Sequence, residues 1–329
     1  MKFLTKDEKS TLIFLTTAAL GATAVSIYLG VNIQKNNEDI LSNRIHVIHT
    51  GGEIEDEFME NYGKIGLTPS VVSYQPLQKS SDIVPNDWNM IATDIGKKYN
   101  NYDAFVIVCG RDTLAYTASA LSFMIENLGK PVILTDGEVL SAVKLASSSK
   151  IPEVMVASQG KLLRGCRTIH KSTDYFASPH HPPLDNTNCL LFPEEQMKIT
   201  FVNPKVIVTV IKVFPGMNAT PFIVSKKVNG IVLEMYGVGN GPTSEKILDT
   251  ISLLTKKGIV IIAVSQCDEI SNLDVDIRFL EAGVLSGGNM TTEAAYSKLC
   301  FLLSNVKDTK IIGQLMEKSF RGEMIIPDY

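Results

Sequence analysis

The chain has 329 residues, 45% hydrophobic and 20% charged, which suits one large or two medium globular domains and not a disordered or fibrous polypeptide. A net charge of −4 gives no reason to expect nucleic acid or an anionic membrane surface as a partner. Five cysteines, at 109, 166, 189, 267 and 300, are scattered, odd in number and without a CxxC pair, which argues against both a disulfide framework and a zinc site.

Residues 1–35 are a different material from the rest. No charged residue lies between Lys9 and Lys35, and residues 12–31 are apolar or small throughout. About 20 apolar residues cross a bilayer core, so residues 11–31 are read as a hydrophobic helix and single-pass membrane anchor. A cleaved signal ending near Ala22-Thr23-Ala24, giving a secreted protein, and a buried helix of a soluble cytoplasmic protein are the other readings. Lys2, Lys6 and Lys9 on one side, against Lys35 and Arg44 on the other, bias the N-terminus slightly to the cytoplasm. Residues 36–43 are a polar linker.

From residue 44 strands and helices alternate. The run Ile45–His49 reads as a buried first strand ending in the turn Thr50-Gly51-Gly52. A strand is expected near residues 71–74, then a helix opening at Val84-Pro85-Asn86-Asp87, where proline suits a first helical turn. Residues 102–135 form a βαβ unit: strand 104–108, a turn at Gly110, a long helix, strand 131–135. A helix at 139–148, strands at 153–157, 201–213, 230–235 and 259–264, and helices at 244–256 and 291–304 follow. This alternation is the mark of doubly wound parallel sheets, and it predicts an α/β domain over 44–200 and a second over 201–329. In such sheets ligands bind past the carboxyl ends of the strands. That places Gly110, Arg111, Asp112 and Thr113 where chemistry is done.

Ordered blocks of sequence carry a family resemblance: HTGG (49–52), SSDIVPNDW (80–88), GRDT (110–113), LLRGCRT (162–168), SPHHPPL (178–184), YGVGNGP (236–242), SQC (265–267) and AGVLSGGNMTTEAA (282–295). Over roughly residues 44–325 the chain resembles the L-asparaginases, bacterial type I. The resemblance implies two asparaginase-like α/β domains, a homodimer or tetramer with its site at the subunit contact, and a small amide or amino acid as ligand. It implies no cofactor.

The resemblance also implies which residues should act. Family members hydrolyse an amide with a threonine of T-G-G-T and a second threonine of G-T-D-T; here these positions hold Glu53 and Arg111. Asp112 matches the carboxylate that holds the substrate amino group, and Ser80 the group that holds its carboxylate. The family lysine falls on His170 by direct counting or on Lys171 one step later. Against the family pattern the loops after Gly52, Thr135 and Cys267 are short. With no hydroxyl at either threonine position, catalysis should be impaired; the alternative is an active amidohydrolase using Glu53, Asp112 and Lys171 or His170. Glu53 and Arg111 either form a bidentate ion pair that fills the pocket or point apart into solvent.

Other signals are weaker. Gly237 to Gly241 lacks the G-x-G-x-x-G spacing of dinucleotide sites, and no G-x-S-x-G elbow is present. His180-His181 reads as a surface pair and not as metal ligands. The glycosylation patterns at Asn218 and Asn289 read as buried.

Overall fold

A computed structural model of the chain describes residues 27–28, 44–54, 58, 69–185, 187–189, 191–223 and 227–325. They divide into two compact units, Ser26–Thr200 with Phe320–Glu323, and Phe201–Ser319 with the residues after 323.

In the first unit the strands are β1 (Ile27–Tyr28), β2 (Ile45–His49), β3 (Ser70–Ser73), β4 (Ala104–Val108), β5 (Ile125–Glu126), β6 (Val132–Thr135), β7 (Val154–Ser158), β8 (Lys161–Arg164), β9 (Ile169–Ser172), β10 (Tyr175–Ala177) and β11 (Lys198–Ile199). Its helices are α1 (Pro85–Lys98), α2 (Leu114–Met124) and α3 (Val139–Ser148). The main sheet runs β3-β2-β4-β6-β7-β8, parallel except for the last pair. All five residues of β2 and of β4 are buried, which explains their unbroken apolar reading: a parallel strand is covered on both faces. Val139, Ala142 and Val143 of α3 join Val47, Val106, Val108 and Ile133 in one core. At about 1.5–3 kcal/mol per buried aliphatic side chain, this core supplies the main driving force of the unit.

Asp87 completes half of a capping box, accepting from the Val84 N–H at 2.8 Å. The antiparallel β8 and the β9–β10 hairpin depart from the purely parallel sheet the sequence suggests. Gln159 and Gly160, both at positive φ, turn the chain straight back and leave no room for a crossover helix.

The second unit holds β12 (Val208–Lys212), β13 (Gly230–Met235), β14 (Val260–Ser265) and β15 (Leu285–Ser286), all parallel and in that order. Its helices are α4 (Glu245–Lys256), α5 (Ile277–Glu281), α6 (Thr292–Asn305) and α7 (Thr309–Met316). Ile247, Ile251 and Leu254 of α4 pack with Phe279 of α5 on Ile231, Leu233, Ile261 and Ala263.

Among the described residues no helix is long and apolar enough to cross a membrane. The expected hydrophobic helix over 11–31 lies outside the described residues except at Ile27–Tyr28. There the chain is extended and pairs antiparallel with Lys198–Ile199, so a helix does not run through these two positions.

Candidate functional site

The carboxyl ends of β2, β4 and β6 open into three turns, at 50–53, 109–113 and 136–138, and a fourth segment, 78–80, closes over them. Backbone bonds tie the four together. The Thr50 N–H donates to the Val108 carbonyl at 2.9 Å, the Gln78 N–H to the Thr50 carbonyl at 2.7 Å, and the Cys109 N–H to the Thr135 carbonyl at 3.0 Å. Two glycines permit the approach. A Cβ on Gly51 would collide with the Gln78 carbonyl oxygen, and one on Gly110 would lie 2.5 Å from Ser80 Cβ. Only glycine lets backbone pass this close to a neighbour.

Within this ring of loops Ser80 and Thr113 hold each other. The Thr113 hydroxyl donates to the Ser80 carbonyl at 2.8 Å and its N–H to Ser80 Oγ at 3.3 Å. The Thr50 hydroxyl is buried and donates to the Val108 carbonyl at 3.1 Å. Cys109 is buried as well; burial first, and then the Asp136 charge, push its thiol far above the ordinary range, so it is no thiolate nucleophile.

Arg111 turns to Asp136. Its Nε donates to the Asp136 carboxylate, with the arginine side chain 41% exposed and the aspartate 12%. No ion pair joins Glu53 to Arg111 among the described residues, so the filled pocket expected from that pair is not formed. The reason is strand order: β6 lies directly beside β4, and the residue just past its end meets Arg111. Glu53 and Asp112 are exposed, and neither carboxylate has a hydrogen-bond partner among the described residues.

His170 and Lys171 arise on β9 and not from a strand-end turn. Both are exposed, and as neighbours on a strand they point to opposite faces. The His170 ring packs on Phe176 at 5.2 Å between centroids.

Two features escaped the sequence reading. Asp136 is one. The other is His49, across the β2–β3 register from Ser73, with Nδ1 at 3.2 Å from Ser73 Oγ and Nε2 at 3.2 Å from the Gly52 carbonyl. A carbonyl only accepts, so Nε2 carries a proton, and in the neutral ring Nδ1 is then the nitrogen that accepts from the hydroxyl. The Arg111–Asp136 and His49–Ser73 contacts span 25 and 24 residues, and alternation of apolar residues gives no sign of either. His181 also differs from the surface pair expected. Its Nδ1–H donates to the Pro182 carbonyl at 2.8 Å, leaving Nε2 to accept from buried Arg164. Asn289 is buried as read, while Asn218 is exposed, its side-chain oxygen accepting from the Thr220 N–H. No group of three or more metal-ligating side chains occurs among the described residues.

A parallel α/β sheet with its glycine turns gathered at the strand ends belongs to the class of folds in which ligands bind past the carboxyl ends of the strands. Two family models match the chain, "Asparaginase, N-terminal" over residues 55–197 and "Glutaminase/Asparaginase C-terminal domain" over 207–316. L-asparaginase 1 of Escherichia coli K12 is 37% identical over 290 residues, covering 79% of this chain and 86% of that protein. The 60 kDa lysophospholipase of Mus musculus is 32% identical over 292 residues, with 78% of this chain and 51% of that protein covered. L-asparaginase I of Vibrio cholerae superposes with a TM-score of 0.77 at 32% identity, covering 86% of this chain and 99% of that one. The chain belongs to the asparaginase family.

Proposed function

We propose that this is an asparaginase-family protein whose amide-hydrolysing chemistry is impaired and whose strand-end site binds a small amino acid. The observation that carries the reading is the state of the hydroxyls. Acyl transfer needs a hydroxyl beside a base and in reach of the bound carbonyl. Glu53 and Arg111 stand where the family has threonines, and the neighbouring hydroxyls of Thr50 and Thr113 are committed to backbone carbonyls. Binding groups remain: Asp112 for an ammonium, and Ser80 with its surrounding backbone for a carboxylate. The protein works as a homodimer or tetramer in this reading, which light scattering of the purified chain checks.

The test is ammonia release from L-asparagine by the full chain, beside the Glu53→Thr, Arg111→Thr double variant. The natural protein is expected to release none above background even at high enzyme concentration. Sustained turnover sinks the proposal.

A second reading, an active hydrolase with altered residues, is favoured by the Ser73–His49 contact. There a hydroxyl does face an imidazole whose tautomer is fixed by a third group. If turnover is found, Ser73→Ala and Lys171→Ala separate this pair from the family lysine position.

A further inference from the structure

We infer that Arg111 makes the site selective for an acidic amino acid of the aspartate class over the corresponding amide. The inference rests on the reading of the strand-end loops as an amino-acid site. If Asp112 takes the ammonium and Ser80 the α-carboxylate, the ligand's side chain extends toward the position flanked by Glu53 and Arg111.

Three observations carry it. Arg111 is the cation on the turns after β2, β4 and β6, whose residues are Thr50 to Glu53, Cys109 to Thr113 and Asp136 to Glu138; the fourth segment, 78–80, adds Lys79, which is exposed and therefore screened. It sits just past the end of β4 and before α2 (Leu114–Met124), so the dipole of that helix adds positive potential at the same spot. And Asp136, the less exposed partner, holds only the Nε edge. Both Nη groups have no hydrogen-bond partner among the described residues, and the side chain is less than half exposed.

A guanidinium fixed along one edge and unpaired along the other is a preorganised fork for a carboxylate, which it meets with two parallel N–H donors. A neutral amide offers one acceptor and a pair of donors, so it repays poorly the water removed from a charged group. Charges working against the idea are Glu53, Asp112, Asp136 and Glu138. Glu53 and Asp112 are exposed and therefore screened. Asp112 is neutralised by the ligand's own ammonium, and Asp136 is already paired. The position that in relatives completes an amide-cleaving pair here recognises the charge that such cleavage would produce.

Calorimetric titration of the full chain with L-aspartate and with L-asparagine tests this. Aspartate is expected to bind about tenfold or more tighter than asparagine. Arg111→Thr should lower aspartate affinity by at least about tenfold and leave asparagine within about threefold, erasing or inverting the ratio. Arg111→Lys keeps the charge but not the fork, and should retain a reduced preference. A merely structural role would weaken both ligands together and leave the ratio unchanged. Binding of asparagine equal to or tighter than aspartate overturns this inference and leaves the amino-acid site standing. Binding of neither ligand at millimolar concentration overturns both. If Arg111→Thr does not fold, Arg111→Gln and Arg111→Lys provide the same comparison.

Discussion

Arg164 and Glu153 form a buried ion pair, 1% and 2% exposed. It is bidentate, Nε to Oε2 at 2.7 Å and Nη2 to Oε1 at 3.1 Å, and the guanidinium also reaches the Asn188 carbonyl and His181. This cluster fastens the loop around 178–189 to the sheet. Glu153→Gln leaves a buried cation uncompensated and should cost about 3–5 kcal/mol, read as a lowered midpoint in chemical denaturation. His181 must be neutral to accept from Arg164, and burial first, then the Arg164 charge, hold its pKa below the usual histidine value. The folded state therefore binds fewer protons here than the unfolded chain. This contribution to stability is complete above about pH 6.5 and falls away as pH drops toward the depressed folded value. Glu293 behaves in the opposite sense. Burial, then the Asp268 and Glu234 charges, raise its carboxyl to about 7 against helical and hydroxyl hydrogen bonds that lower it. A raised carboxyl pKa favours folding at low pH, and that advantage is lost as pH climbs from about 4.5 to about 7. Glu293→Gln should thus raise stability by up to about 3 kcal/mol at pH 8 and by nearly nothing at pH 4, measured by urea melts at both pH values.

At the scale of elements, the candidate site is a property of turns that rigid strands hold in place. β2 and β4 end side by side, His49 opposite Val108, so the turns at Thr50 and Cys109 start level with one another. Gly110→Ala would force the 109–113 turn away from Ser80, because the added methyl falls within 2.5 Å of Ser80 Cβ. A cost of about 1–3 kcal/mol is expected, with loss of the Thr113–Ser80 bonds and of ligand binding. A variant that keeps full affinity in titration would show that the 78–80 segment is not part of the site. The strands and helices themselves were legible in sequence. Buried runs such as AFVIV (104–108) and IVIIAV (259–264) read as parallel strands, and their observed bounds, Ala104–Val108 and Val260–Ser265, fall within a residue of the reading. The hairpin β9–β10 and helix α7 (Thr309–Met316) were not, the first because it is short and mixed in polarity, the second because its eight residues carry only two buried apolar contacts, Ile312 and Met316.

At the scale of the molecule the chain does something that no local pattern announces. After α7 it returns to the first unit, where Phe320–Glu323 is counted. Arg321 donates through Nε to the Ser122 carbonyl at 2.8 Å and lies 3.7 Å from Glu126, while Arg167 donates to the Gly322 carbonyl at 2.7 Å. Glu323, fully buried, accepts from the N–H groups of Phe320 and Arg321. Arg321→Ala should lower stability by about 1–3 kcal/mol, seen as an earlier thermal transition, since the Ser122 carbonyl loses a charged donor in a half-buried setting. Sequence by itself determined the family and the α/β architecture. Burial on both sheet faces and glycine at crowded turns leave their mark residue by residue, which is why that much could be read. What Arg111 does with its charge was decided only by the tertiary structure. Its partner lies 25 residues away at the end of a neighbouring strand, and a pairing set by strand order has no periodicity to read.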